Sequence, residues 1–125
     1  MRGARAVLFP EYPKCSTCKK AKKWLESAGV VFEERNIVEQ NPSIEELRTW
    51  WESSGLLIQR FFNTLGMLYR ELNVKQKFDD GMTDEEALEL LATSGMLVKR
   101  PLLIIDGVPT TPGFKEDDWR AVLGV

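Results

Sequence analysis

The sequence predicts an α/β fold in which a mixed four-stranded sheet is flanked by helices, and three observations predict it. An apolar run, a Cys-x-x-Cys pair, a helical stretch and a second β-rich run follow one another from Ala4 to Ile37. The middle of the chain, about 41–95, carries only helical signals. An Asp-Gly dipeptide then joins two apolar runs ahead of a last amphipathic stretch. The order β-α-β, helices, β-β-α places a helical insertion between the two halves of one sheet.

The first strand is predicted from Ala4 to Phe9, with Pro10 and Pro13 ending it. A helix follows over Ser16 to Ala28, stopped by Gly29. In that helix Cys18, Ala21, Leu25 and Ala28 fall on one apolar stripe. Val30 to Ile37 alternates in polarity and opens with Val30-Val31-Phe32, which predicts a second strand. A β-α-β unit makes these two strands parallel.

Ser43-Ile44-Glu45-Glu46 is a capping box, and its helix carries the stripe Ile44, Leu47 and Trp51 and stops at Ser53-Ser54-Gly55. Leu65, Leu68 and Leu72 predict a short helix ending near Asn73. Thr83-Asp84-Glu85-Glu86 is a second capping box, followed by Ala87, Leu90 and Leu91, with Gly95 as its stop. Trp50, Trp51, Phe61 and Phe62 are expected in the core of this segment, because aromatics at helical spacing bury themselves. Leu102 to Ile105, the Asp106-Gly107 turn and Val108 onward predict a hairpin ended by Pro112-Gly113. Lys115 to Leu123 predicts a closing helix with Trp119, Val122 and Leu123 inward.

The chain has 125 residues, 43% of them hydrophobic, which fits a single domain spanning 1–125. Its net charge of -2 offers no overall field for nucleic acid. No apolar stretch approaches the ~20 residues that cross a bilayer, and there is no signal-peptide h-region, so a soluble, cytoplasmic protein is expected. In that compartment a dithiol stays reduced unless it is working.

Cys15 and Cys18 are the only cysteines and the chain has no histidine, so an intrachain zinc site lacks ligands and no metal is expected. A purely structural disulfide between them would close too short a loop to restrain the unfolded chain much. Their position at the junction of strand and helix is where a thiol becomes reactive, since free N–H groups at a helix N-terminus favour the thiolate. Cys15 is the sulfur so favoured, and Cys18, on the apolar stripe, is the more buried one. An exposed attacker and a buried resolver are what thiol–disulfide exchange requires. Lys14, Lys19, Lys20, Lys22 and Lys23 add positive charge, or else form a solvated helix face. Arg100-Pro101 stands at the mouth of the third strand, where a proline removes a ladder donor and signals a tight turn, trans or cis.

Cys15-Ser16-Thr17-Cys18-Lys19-Lys20-Ala21, Asn63-Thr64, Tyr69-Arg70-Glu71-Leu72, Lys99-Arg100-Pro101-Leu102 and Asp106-Gly107 together resemble the arsenate reductase-like (ArsC) family, in the branch that includes the Spx and MgsR redox regulators. The resemblance covers nearly the whole chain. It implies a thioredoxin-like fold with a helical insertion, a cis Arg100-Pro101 bond beside the thiols, Cys15 as nucleophile and Arg100 as an anion-binding partner. The further arginines with which the true arsenate reductases hold the oxyanion are absent from Phe61-Phe62-Asn63-Thr64 and from Gly107 to Pro112.

The leading expectation is a thiol–disulfide oxidoreductase with Cys15 attacking and Cys18 resolving. Lys14, Arg100 and Pro101 would border the substrate, and glutathione or protein thiols and disulfides would be the partners. No organic cofactor is demanded. The alternative is an Spx-like redox-sensing regulator that binds the RNA polymerase α subunit without direct nucleic-acid contact. A third reading is an arsenate reductase coupled to glutaredoxin or thioredoxin.

Overall fold

One mixed sheet in the order β2-β1-β3-β4 organises the chain. A computed structural model describes residues 5–125, so Ala4, assigned above to the first strand, lies outside the described residues. β1 (Val7–Glu11) is central, parallel to β2 (Glu33–Asn36) and antiparallel to β3 (Ile104–Ile105), which turns back into β4 (Val108–Pro109). The turn between β3 and β4 has positive φ at both Asp106 (51°) and Gly107 (84°). That is what a primed two-residue turn needs and what Asp-Gly supplies at little strain.

α1 (Ser16–Ser27) crosses from β1 to β2. Its Cys18, Ala21 and Leu25 are fully buried as the stripe predicts, while Ala28 is half-buried. With Val7, Phe9, Leu103, Ile105 and Trp119 of α6 (Glu116–Leu123), Ala21 and Leu25 make the core on one face of the sheet. Trp119 packs edge-on against Phe9 and Phe114, at centroid distances of 6.2 and 4.8 Å. Trp119 points inward as expected, but Val122 is exposed; α6 has only a narrow apolar stripe to give.

The other face is covered by the segment between β2 and β3. It holds α2 (Ile44–Ser54), a 3-10 turn (Ile58–Phe61), α3 (Met67–Glu71), α4 (Val74–Asp79), α5 (Asp84–Leu91) and a second 3-10 turn (Gly95–Leu97). Leu47, Trp50, Phe61, Phe62, Leu88 and Leu91 bury themselves against Leu102 and Ile104, and Trp51 packs at the margin. Each fully buried large side chain contributes about 1.5–3 kcal/mol. Both capping boxes are formed, Ser43 with Glu46 and Thr83 with Glu86.

The structure departs from the pattern in four places. β1 continues through Pro10 to Glu11. Pro10 lies where β1 has run past the end of β3, so its missing N–H breaks no pair of that ladder, and its carbonyl still accepts the Leu102 N–H at 2.9 Å. β2 begins at Glu33, leaving Val31 89% exposed, because it is an edge strand. α4 starts at Asn73 in a left-handed conformation with no side-chain cap, so it gave no sequence signal. α5 ends at Leu91 with Ala92 as C-cap, and Gly95 has a different task. A Cβ there would stand 2.0 Å from the Ile37 carbonyl oxygen, so glycine is needed for the helical segment to close onto the end of β2. No helix among the described residues is long and apolar enough to cross a membrane.

Candidate functional site

β1 delivers the chain into a tight turn, in which the Cys15 N–H donates to the Tyr12 carbonyl at 2.9 Å with Pro13 at the position its fixed φ suits. Cys15 is then the N-cap of α1, in extended conformation (φ −85°, ψ 124°), and its side chain makes no capping bond to the helix backbone. Its carbonyl accepts the Lys19 N–H at 3.0 Å. The half-buried side chain thus belongs to the residue that opens α1, where the first-turn N–H groups have no helical acceptor. Burial by itself raises the thiol, but the Cys18 N–H, the Cys18 thiol, the Thr17 N–H and the charge of Arg100 outweigh it, and Cys15 is held below the ordinary thiol range.

Cys18, one turn on, is fully buried. Burial pushes its thiol up to about 12; the Tyr12 N–H, donating to Sγ at 3.5 Å, opposes this, and the proximity of Cys15 and the charge of Glu11 reinforce it. Two sulfurs of one Cys-x-x-Cys pair are thus driven in opposite directions by their surroundings.

Beside Cys15 runs a groove of about 330 Å³, lined by Thr17, Asn63, Leu65, Lys99, Arg100, Pro112, Gly113, Phe114 and Lys115. The turn before β3 forms one wall. The Arg100-Pro101 bond is cis, and the Pro101 carbonyl accepts the Gly113 N–H at 3.0 Å. Arg100 Nη1 donates to the Met96 and Val98 carbonyls at 3.2 and 3.5 Å, its guanidinium lies over the Tyr12 ring, and its buried Nε has no acceptor among the described residues. The Asn63 N–H, donating to the Leu97 carbonyl at 2.8 Å, holds the helical segment to this wall. A second hollow of about 380 Å³, bounded by Val31, Phe32, Trp50 and Ile104, lies toward the opposite end of β1 and has no sulfur in its lining among the described residues.

Cys15, Cys18 and Arg100 are therefore gathered around the turn at the C-terminal end of β1, with Pro101 beside them only as the residue that follows Arg100. Lys14 is exposed on the preceding turn and borders a neighbouring depression with Tyr12, Asn36 and Val38, outside the groove lining. Lys22 pairs with Glu34 of β2 at 3.0 Å. Among the described residues no group of His, Cys, Asp or Glu side chains is arranged to hold a metal ion. Sequence reasoning missed Tyr12, Lys99, Phe114 and Lys115, whose nearness to the thiols is a product of the fold. It also missed Glu11, whose signal was an acid at the end of an inner strand.

The profile of the ArsC family matches residues 11–122. The chain is 55% identical over 115 residues to the uncharacterized protein YusI of Bacillus subtilis, covering 92% of this chain and 96% of that protein. It is 32% identical over 98 residues to the regulatory protein MgsR of the same organism, covering 78% and 75%. A crystal structure of an ArsC family related protein from Bacteroides fragilis superposes with a TM-score of 0.88 at 46% identity, covering 96% of this chain and 99% of that one. With this sheet, this helical segment and this thiol-bearing helix start, the chain belongs to the ArsC family and has its thioredoxin-like fold.

Proposed function

We propose that the chain is a thiol–disulfide oxidoreductase. The Cys15 thiolate attacks one sulfur of a substrate disulfide, whose other sulfur leaves as a thiolate and takes a proton from solvent. Cys18, deprotonated, then attacks Cys15 Sγ; the mixed disulfide breaks, the second substrate thiolate leaves, and a Cys15–Cys18 disulfide remains for an external thiol to reduce. The observation that carries this reading is the split environment of the pair, a half-buried Cys15 at a helix N-terminus over a fully buried Cys18. Arg100, Lys99 and Lys115 around the groove suit a substrate with carboxylates, such as a glutathionylated protein, and Pro101, joined to Arg100 by the cis bond, is read as bordering the substrate from the adjoining wall. Lys14 adds positive charge at the approach to Cys15.

Turnover with a glutathione mixed disulfide or with insulin tests it. Cys15→Ser abolishes turnover, and Cys18→Ser accumulates a covalent substrate adduct on Cys15. Full activity in Cys15→Ser contradicts it.

The similarity to regulatory protein MgsR supports a second reading, a redox switch in which the state of the same pair controls binding to the RNA polymerase α subunit. Pull-down with the α C-terminal domain separates the two readings: binding in one redox state favours the switch, and none in either state removes it. Arsenate reduction has less support, because among the described residues Arg100 is the one arginine in the groove lining and its Nη1 is engaged by backbone carbonyls.

A further inference from the structure

Glu11 is buried, with 3% of its surface exposed, at the end of the central strand. It follows Val7 and Phe9 on the sheet face that α1 covers, and its successor Tyr12 donates its N–H to Cys18 Sγ. A carboxyl in such a place ordinarily has a cation against it. Here the nearest one, Lys22 of α1, is taken by Glu34 of β2 at 3.0 Å. Glu11 shares a hydrogen bond with Glu34 and acts on Cys18 by its charge, and Glu34 and Lys22 are each about two-fifths exposed, so Glu11 stands between the buried sulfur and a carboxylate that reaches water. The exchange mechanism leaves one step without an agent: Cys18 must lose a proton in a site with no solvent contact of its own.

We propose that Glu11 accepts the Cys18 proton when the mixed disulfide is resolved and passes it to water by way of the Glu34 carboxylate, which the Lys22 ammonium holds at the surface. This rests on the oxidoreductase reading of the pair. The Cys18 S–H proton goes to the Glu11 carboxylate, the freed Cys18 thiolate forms the bond to Cys15 Sγ, and the Cys15–substrate bond breaks. The substrate thiolate leaves with the electron pair and is protonated by solvent.

The charged groups acting on Glu11 are Glu34 and Lys22, with Cys18 coupled to it across the α1 face. Burial, then the hydrogen bond and negative charge of Glu34, raise its carboxyl to about 7, with Lys22 opposing them. That is the range in which a carboxylate can both take and return a proton near neutrality.

The test is stopped-flow reaction with an aromatic disulfide that releases a coloured thiolate. The first equivalent released reports attack by Cys15 and the second reports resolution by Cys18. In the unmodified chain the second phase rises through a midpoint near neutrality. Glu11→Gln slows the second phase at neutral pH by about tenfold or more and removes that midpoint, with the first phase unchanged. Glu34→Gln, a change on an exposed edge strand, moves the midpoint to lower pH and provides the test if Glu11→Gln does not fold. An unaltered second phase in Glu11→Gln, or an unmoved midpoint in Glu34→Gln, overturns the proposal. Absence of the first phase in the unmodified chain overturns the oxidoreductase reading instead.

Discussion

The guanidinium carbon of Arg100 stands 5.1 Å from the centroid of the Tyr12 ring. This contact joins the turn before β3 to the turn that delivers Cys15, and Arg100 Nη1 is held at the same time by the Met96 and Val98 carbonyls. A cation fixed at three points keeps its charge near Cys15 at no further entropic cost when the thiolate forms.

Arg100→Gln is therefore expected to raise the Cys15 titration and to slow its alkylation at neutral pH roughly two- to fivefold. Arg100→Lys restores this only in part, since an ammonium is a compact point charge without the planar guanidinium that lies over Tyr12 while its Nη1 is held by the two carbonyls. Iodoacetamide kinetics with mass-spectrometric assignment of the modified cysteine check both.

Gly95→Ala is expected to be among the most damaging small substitutions. The added methyl would meet the Ile37 backbone, at 2.0 Å from its oxygen and 2.7 Å from its carbonyl carbon, and neither atom is the end of a flexible side chain. A loss of about 3 kcal/mol or more in urea unfolding is expected; a loss under about 0.5 kcal/mol would mean that this approach is not tight.

Glu11 makes stability fall with rising pH. The folded chain holds this proton up to about 7 and the unfolded chain only to the ordinary 4.5, so the stabilisation is complete below 4.5 and lost as pH rises through 7. The difference amounts to about 3 kcal/mol at most. Glu11→Gln should flatten unfolding free energy across that window and leave the chain more stable than the unmodified one at pH 8.

Glu46 acts in the opposite direction. Arg35 donates to its two carboxylate oxygens at 2.6 and 2.8 Å, which with the Ser43 cap holds the carboxyl down to about 2 against partial burial. This stabilisation is present above pH 4.5 and lost as pH falls through 2. Glu46→Gln keeps a capping side chain but loses the ion pair. With Glu46 38% exposed, screening limits the cost to about 1 kcal/mol near neutral pH, shrinking toward pH 2, as thermal unfolding at the two pH values would report.

The features legible in the sequence were those with local causes. Ser43 and Thr83 announce their helices because a capping box is complete within four residues. Asp106-Gly107 announces a hairpin because both residues tolerate positive φ. Cys18 announces its burial through the spacing to Ala21 and Leu25. What stayed hidden depends on neighbours distant in sequence. Pro10 fits inside β1 because of where Leu102 lies, Gly95 is required by Ile37, and Tyr12 matters because Arg100 comes to rest on it. Val31 alternates like a strand residue, and only the edge position of β2 leaves it in water.

The central claim is that the N-terminus of α1 makes one sulfur of the pair a nucleophile and leaves the other dormant until it is needed. The pH dependence of alkylation, followed separately at each cysteine in the reduced native chain, tests it most directly. The expected result is a Cys15 midpoint below that of an ordinary thiol, with Cys18 unmodified throughout the native pH range. A Cys15 midpoint at or above the ordinary thiol value, or equal modification of both cysteines, would contradict it.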